Sequence, residues 1–253
     1  MSKVNDKPFF VGYLPTPGTL KLFLVAVSAF LIGGFAALGL AVGSAQDNPG
    51  AGQFKWGWGP QSVSGRLEIH PYPILHVTKA SKNIAVGRTL LLSGVGKKGV
   101  QSRVAKLDGK AVQLKGIALK RGDIDALQVG NAKGAIIPLD QAPPQTKTVD
   151  LGRWKLKGEI CDGKCLSGAM RPGRGLSHRA CANLCLIGGA PPVFVTLDAV
   201  DGQNFFLLGD AAGKPLPASF LAHVAKLVSL EGAIERRGKI LVFKADLKTL
   251  KVL

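Results

Sequence analysis

VQLKGIALKRGDI (residues 112–124) and VSLEGAIERRGKI (residues 228–240) lie 116 positions apart and share Val, Leu, Gly, Arg, Gly and Ile at six of thirteen positions. At the same offset, RTLLLSG (88–94) falls over NFFLLGD (204–210). A fixed offset between unlike segments marks one structural unit present twice, so each copy has to be read as a whole.

In the second copy WKLKGEI (154–160) alternates polar and apolar residues, PVFVTLDAV (192–200) is β-branched and aromatic, and NFFLLG follows a turn at Asp201-Gly202. These predict three strands. PASFLAHVAKL (217–227) then spaces Phe220, Leu221, Val224 and Leu227 as a helix does, behind a proline suited to a first turn. VSLEGAIE and KILVFKADL predict two more strands joined at Arg236-Arg237-Gly238. The first copy repeats the series with SGRLEI, PILHV, RTLLLSG, a short helix around Val100 to Leu107, AVQLKGI and IDALQV. The expected class is therefore mainly β, with two small five-stranded barrels, 63–129 and 151–253, each with one short helix. In element order both copies resemble the oligonucleotide/oligosaccharide-binding (OB) fold, whose helix lies between strands three and four. Gly116 and Gly232 fall mid-strand, where a small barrel must bend sharply. The proline-containing stretch 130–150 reads as the linker.

Upstream, residues 22–43 carry no charge, matching the ~20 residues a helix needs to cross a bilayer core. A cleaved signal has an apolar core of only ~7–15 residues, so GSAQ at 43–46 is not taken as a cleavage site, and the run predicts a single transmembrane helix. Lys3, Lys7 and Lys21 precede it and only Lys55 follows closely, which orients residues 1–21 as a cytoplasmic tail. Residues 44–62 become a juxtamembrane linker, and the rest faces the periplasm from a bacterial inner membrane. Phe9, Phe10, Tyr13, Trp56 and Trp58 read as interfacial aromatics. Of 33 basic and 16 acidic residues, all but Lys3, Lys7, Lys21 and Asp6 follow the span, which leaves that part at +15. Such a field suits an acidic membrane-complex subunit, an acidic electron carrier or anionic lipid. Nucleic acid is excluded as a partner by compartment and by the lack of aromatics on strands two and three of the first copy.

All four cysteines lie in CDGKCLSGAMRPGRGLSHRACANLC (161–185), as two Cys-x3-Cys pairs. Between strands one and two the first copy has little more than His70-Pro71-Tyr72, so 161–190 is an insertion, in one of the two loops with which OB-type barrels grip ligands. Three chemistries fit Cys161, Cys165, Cys181 and Cys185. An oxidising compartment favours disulfides. Four sulfurs, or three with His178, suit zinc, and Met170 with His178 admits copper. A redox-active pair is the third, with Lys164 and Arg179 as neighbours that would lower thiol pKa values. Lys164, Arg171, Arg174 and Arg179 are the candidate partner contacts on the loop.

The spacing resembles the twin Cys-x3-Cys signature of small mitochondrial intermembrane chaperones, which implies nested pairing of Cys161 with Cys185 and Cys165 with Cys181. MRPGRG (170–175) departs from the long helices of that family. Cys-x3-Cys also resembles copper-delivery proteins of the thioredoxin type, although no βαβ pattern accompanies it here. The wider string around Asp162, Lys164-Cys165, Met170, His178, Cys181-Ala182, Cys185 and Pro191-Pro192 resembles uncharacterised membrane-anchored proteins of proteobacteria, a likeness that implies no activity.

Gly94-Val-Gly96-Lys-Lys-Gly99 fits the dinucleotide pattern G-x-G-x-x-G, but its counterpart GDAAGK does not, so a strand-to-helix turn is the better reading. His70, His76 and His223 stand alone among apolar neighbours. No Ser-His-Asp spacing, paired carboxylates, His-Glu-x-x-His or Cys-x2-Cys-His is present, so no catalytic residue is assigned. The expected function is an accessory or assembly subunit of a membrane redox or transport complex, with no cofactor, that contacts its partner through a disulfide-stapled loop and a basic face. The alternative is a thiol-redox or metal-handling (zinc or copper) protein.

Overall fold

The computed structural model describes residues 16–46, 50 and 52–253. Lys3, Lys7, Phe9, Phe10 and Tyr13 lie outside the described residues. The chain divides into two compact units, Met1–Asn48 and Pro49–Leu253.

Within the first unit, helix α1 (Gly18–Gln46) follows Pro17 and contains no further proline. Leu22, Phe30, Ile32 and Leu40 are all more than two-thirds exposed. A helix that is apolar all round has no face to give a soluble core and suits lipid. Gly18–Ser44, 27 residues, is long and apolar enough to cross a membrane.

In the second unit the first copy forms β1 (Gln53–Phe54), β2 (Gln61–Glu68), β3 (Ile74–Lys79), β4 (Thr89–Ser93), a one-turn helix α2 (Gln101–Val104), β5 (Ala111–Arg121), β6 (Ile124–Val129) and β7 (Ile136–Pro138). The second forms β8 (Thr148–Asp162), α3 (Arg179–Ile187), β9 (Pro192–Val200), β10 (Gln203–Asp210), a 3-10 turn at Ala218–His223, β11 (Leu227–Arg237) and β12 (Ile240–Val252). Strands β8 to β12 close a five-stranded barrel in the order β8-β9-β10-β12-β11, with only β10 and β12 parallel. The other strands make a seven-stranded sheet. In it β2 pairs β3, β3 pairs β4, β4 runs parallel to β6, β6 pairs β5 and β5 pairs β2, while β1 and β7 also pair with β5.

The register carries the duplication. Leu90 faces Asp125 as Phe206 faces Leu241, and Gly116 faces Val129 as Gly232 faces Ala245, each pair displaced by the sequence offset. A Cβ on Gly116 would come within 2.2 Å of the Gln128 carbonyl, and one on Gly232 within 2.3 Å of that of Lys244. These glycines are set by close cross-strand approach of two backbones.

Several expected elements differ. The first copy carries β1 and β7 beyond the five strands expected of it, and 44–62 is more than a juxtamembrane linker, because β1 and the start of β2 lie within it. The stretch 130–150 is more than a linker, because β7 adds to the sheet and β8 begins at Thr148. The helix expected over 217–227 is only the 3-10 turn, since Ala225 takes φ +62° and Leu227 already belongs to β11.

Strands β4 and β10 explain how the halves meet. Leu90 and Leu92 enter the core of the first sheet, and Phe206 and Leu208 that of the barrel. Between these residues Leu91, Phe205 and Leu207 point the other way, into a third apolar layer with Ile74, Val193 and Val242. Strands buried on both faces read as continuous apolar runs rather than as alternation, which is what LLL and FFLL are. Polar contacts flank this layer. Arg237 donates to Glu68, to Glu235 and to the His70 carbonyl. His76 Nε2 lies 3.0 Å from Glu68, and the Lys239 amide donates to Thr89 at 3.0 Å.

Burial alone would raise the Glu68 pKa, but hydrogen bonds from His76 and Arg237 and the Arg237 charge hold it below the ordinary value. The folded state thus binds that proton less readily than the unfolded chain. Its stabilisation is present above the ordinary glutamate pKa, about 4.3, and is lost as pH falls through the lower folded value. Melting temperature followed by circular dichroism from neutral pH downwards should therefore fall more steeply for the wild type than for Glu68→Gln. Parallel curves would refute the linkage.

Candidate thiol centre

The insertion leaves the barrel where β8 ends. Asp162, Gly163 and Lys164 lead into a wide turn, Cys165–Ala169, and a 3-10 turn at Leu176–His178 then feeds α3. Helix α3 stops at Gly188-Gly189, whose amides return to the Leu184 and Leu186 carbonyls, Gly189 with φ +92°. A glycine in the left-handed region just past the last turn is a common helix stop.

The Gly94–Gly99 segment is the strand-to-helix turn read from the sequence, and it also cradles this loop. Lys164 Nζ donates to the Gly94 and Gly96 carbonyls at 2.7 and 2.6 Å. The Gly99 amide donates to Gly188 O at 2.8 Å, and Gln101 Nε2 to Gly189 O at 2.6 Å. A Cβ on Gly188 would lie 1.7 Å from the Lys97 carbonyl. The glycines therefore admit protein backbone where the motif would admit a phosphate.

Three of the four sulfurs converge beneath this turn. Cys165 Sγ lies 3.9 Å from Cys185 Sγ. Ligand atoms of Cys165, His178 and Cys181 all lie within 4.8 Å of one another, as do those of Asp162, Cys165 and Cys185. Asp162 is fully buried and anchors the group, its Oδ1 accepting from the Cys165 amide at 2.7 Å and its Oδ2 lying 3.0 Å from His178 Nε2. Lys97 Nζ donates to Cys181 Sγ at 2.8 Å and lies 3.9 Å from Cys185 Sγ. The hydrogen bond from Cys165 holds the Cys185 thiol down at about 7 against its own burial, with Lys97 helping. The same hydrogen bond and burial push Cys165 up. One proton is thus shared within the pair, and Cys185 is the better thiolate. The hydrogen bond to Cys181 raises the Lys97 pKa.

Cys161 takes a different place. It is buried in the layer between the halves and donates to Glu159 Oε1 at 3.2 Å, and burial followed by the Glu159 charge raises its pKa well above normal. The nested disulfide pairing expected from the spacing is corrected here, because all four cysteines are thiols. Cys165 rather than Cys161 lies 3.9 Å from Cys185, because β8 carries Cys161 into the inter-sheet layer before the chain turns. Met170 stays at the surface. Lys164, expected to meet a partner, is buried on two carbonyls, and that burial lowers its pKa. Arg171 and Arg174 are exposed, and Arg179 is half-buried and donates to the Ala222 carbonyl at 3.0 Å. His76 is an internal hydrogen-bonded residue between Glu68 and Thr89.

Sequence reasoning missed Asp162 and Lys97 as site residues. Asp162 adjoins Cys161 and stood in view; Lys97 enters from the other half, and only the Gly-x-Gly-x-x-Gly turn hinted at it. No family model, curated protein or solved structure matches the chain. The function is therefore argued from the side chains: three sulfurs, an imidazole oriented by a carboxylate, and an ammonium at the mouth.

Proposed function

We propose that this chain is a membrane-anchored, exported accessory protein whose cysteine loop holds one soft metal ion, zinc or Cu(I). The observation that carries the reading is that Cys165 belongs to two clusters of possible ligands, one with His178 and Cys181 and one with Asp162 and Cys185, and that Asp162 also bonds His178. Three thiolates and a neutral imidazole are a tetrahedral zinc donor set, and thiolates also suit Cu(I). Asp162 at His178 Nε2 leaves Nδ1 with its lone pair free, the arrangement in which metal-bound histidines are usually oriented by a carboxylate. Lys97 donates to one sulfur and offsets the negative charge such a site accumulates.

Other features support the surrounding picture. The two sets of strand pairings agree with two OB-type barrels, the insertion filling the loop after strand one of the second. Helix α1 and the lysines Lys3, Lys7 and Lys21, on the N-terminal side of its uncharged run, support a bacterial inner-membrane anchor with the remainder in the periplasm. Exposed Arg171 and Arg174 beside the site suit an acidic partner subunit, an acidic electron carrier or anionic lipid head groups. The separation of Cys165 and Cys185 favours a second reading, a dithiol that exchanges disulfides.

The test is metal content of full-length protein purified in detergent under anaerobic conditions with zinc or Cu(I). One equivalent per chain is expected. Cys165→Ser, Cys181→Ser, Cys185→Ser and His178→Gln should lose it, and Cys161→Ser should retain it. Retention of metal by the first four, or its loss from Cys161→Ser, would refute this site. Absence of metal with a reducible Cys165–Cys185 pair would favour the dithiol, and four unreactive sulfurs with no metal would restore the stapled loop.

A further inference from the structure

We infer that Lys97 and Cys181 are a modification site, at which peroxide joins the two side chains through a single oxygen atom, as a Cys–S–O–NH–Lys bridge. Lys97 Nζ stands 2.8 Å from Cys181 Sγ. That separation falls within the range of an ordinary N–H···O bond, about 2.7–3.2 Å, although sulfur is the larger atom. Nitrogen and sulfur are thus held closer than a simple N–H···S contact requires, at a spacing one inserted oxygen spans.

The surroundings hold this geometry and leave it open to a small oxidant. Lys97 is exposed and Cys181 is the one cysteine that is not fully buried. The backbone beneath both residues is fixed, because the Gly99 amide bonds the Gly188 carbonyl and no side chain fits between Gly188 and Lys97. Lys164, the lysine of the loop itself, is committed to two carbonyls and cannot compete.

The chemistry balances with hydrogen peroxide as the oxidant. One peroxide converts the Cys181 thiol to a sulfenic acid and leaves as water, taking two electrons from sulfur. A second takes two electrons from Lys97 after its ammonium has released a proton to water, giving a hydroxylamine and water. Condensation of the hydroxylamine with the sulfenic acid expels a third water and forms the S–O–N bridge. The product has gained one oxygen and lost two hydrogens, and two-electron thiol reductants cleave it at sulfur. It ties residue 97, in the turn after β4, to residue 181 of the barrel insertion. It also removes one of the three sulfurs, so if the metal reading of this loop holds, oxidation expels the metal.

The experiment is tryptic peptide mass spectrometry of full-length protein in detergent, before and after a brief treatment with dilute hydrogen peroxide. Expected is a peptide pair joined through Lys97 and Cys181, heavier by one oxygen and lighter by two hydrogens, with cleavage after Lys97 blocked. Dithiothreitol should abolish it, and Lys97→Arg and Cys181→Ser should lack it. Recovery of Cys181 as a disulfide, as a sulfinic acid with Lys97 unmodified, or as a direct S–N sulfenamide would overturn the inference. If Cys181→Ser fails to fold, Lys97→Arg decides. Metal content of the reduced wild type is measured separately, so failure of the bridge and failure of the metal reading are told apart.

Discussion

Asp162→Ala is expected to cost about 3–5 kcal/mol of folding stability, the usual penalty for removing one partner of a buried ionic or charge-assisted pair, and to abolish metal binding. The carboxylate is fully buried and both its oxygens are used, one by the Cys165 amide and one by His178 Nε2. Truncation leaves the imidazole and the amide buried without partners, and each unmade bond costs its desolvation. Asp162→Asn separates the two effects. Its amide oxygen still accepts from the Cys165 amide, so the loop keeps its shape, but a neutral group faces His178 and the ring loses its orienting charge. Urea unfolding of the apo protein should place Asp162→Asn near the wild type and Asp162→Ala far below. Chelator competition should show metal affinity reduced about 10–100-fold in Asp162→Asn, the effect of losing a partner behind a metal ligand. Affinity equal to the wild type in Asp162→Asn would remove His178 from the site.

The strands were legible because their signals are local. PVFVTLDAV and IDALQV became β9 and β6 at the residues read, and the offset that aligns Gly116 with Gly232 also aligns the strand pairings. The failures were non-local. Nothing in QF or IIP announces a strand until β5 is present to pair with it. The runs LLL and FFLL were read only as strands, and nothing local in them says that their second face is covered by the other half.

The site divides in the same way. Its position in the loop after strand one, and His178 as the histidine beside the cysteines, came from the insertion and from polar flanks. Treating the four cysteines as one set failed because the residue before Asp162 is still on the strand. Strand geometry sends Cys161 into the layer between the halves, while Cys165, past the turn at Gly163, comes round to Cys185. A loop spacing cannot tell where the strand stops. Lys97 is 84 residues from Cys181 in sequence, so no spacing rule reaches it.

Phe243→Ala is expected to cost about 3–5 kcal/mol, as a buried phenylalanine truncation does, and to lower the stability of both halves together. Phe243 is inaccessible to solvent, and its ring centroid lies 5.6 Å from that of Phe194 and 6.1 Å from that of Phe206. Its partner at the sequence offset is Leu127, equally buried; Leu92 faces Leu127 as Leu208 faces Phe243. Leu127→Ala, at about 2–5 kcal/mol, is therefore the reciprocal test. If the halves were beads on a linker, each substitution would weaken its own half. Leu91 and Ile74 on one side and Leu207 and Val242 on the other instead bury each other, so opening either half exposes the apolar layer of the other to water, at roughly 25 cal/mol per Å². Amide exchange measured on β4 and on β10 should show both strands losing protection by the same amount in either variant. Loss confined to β10 in Phe243→Ala and to β4 in Leu127→Ala would mean that the layer is a contact between independent domains. The contact of Lys97 with Cys181 would then link two domains that open separately, whereas a shared transition keeps the two side chains together until the whole unit unfolds.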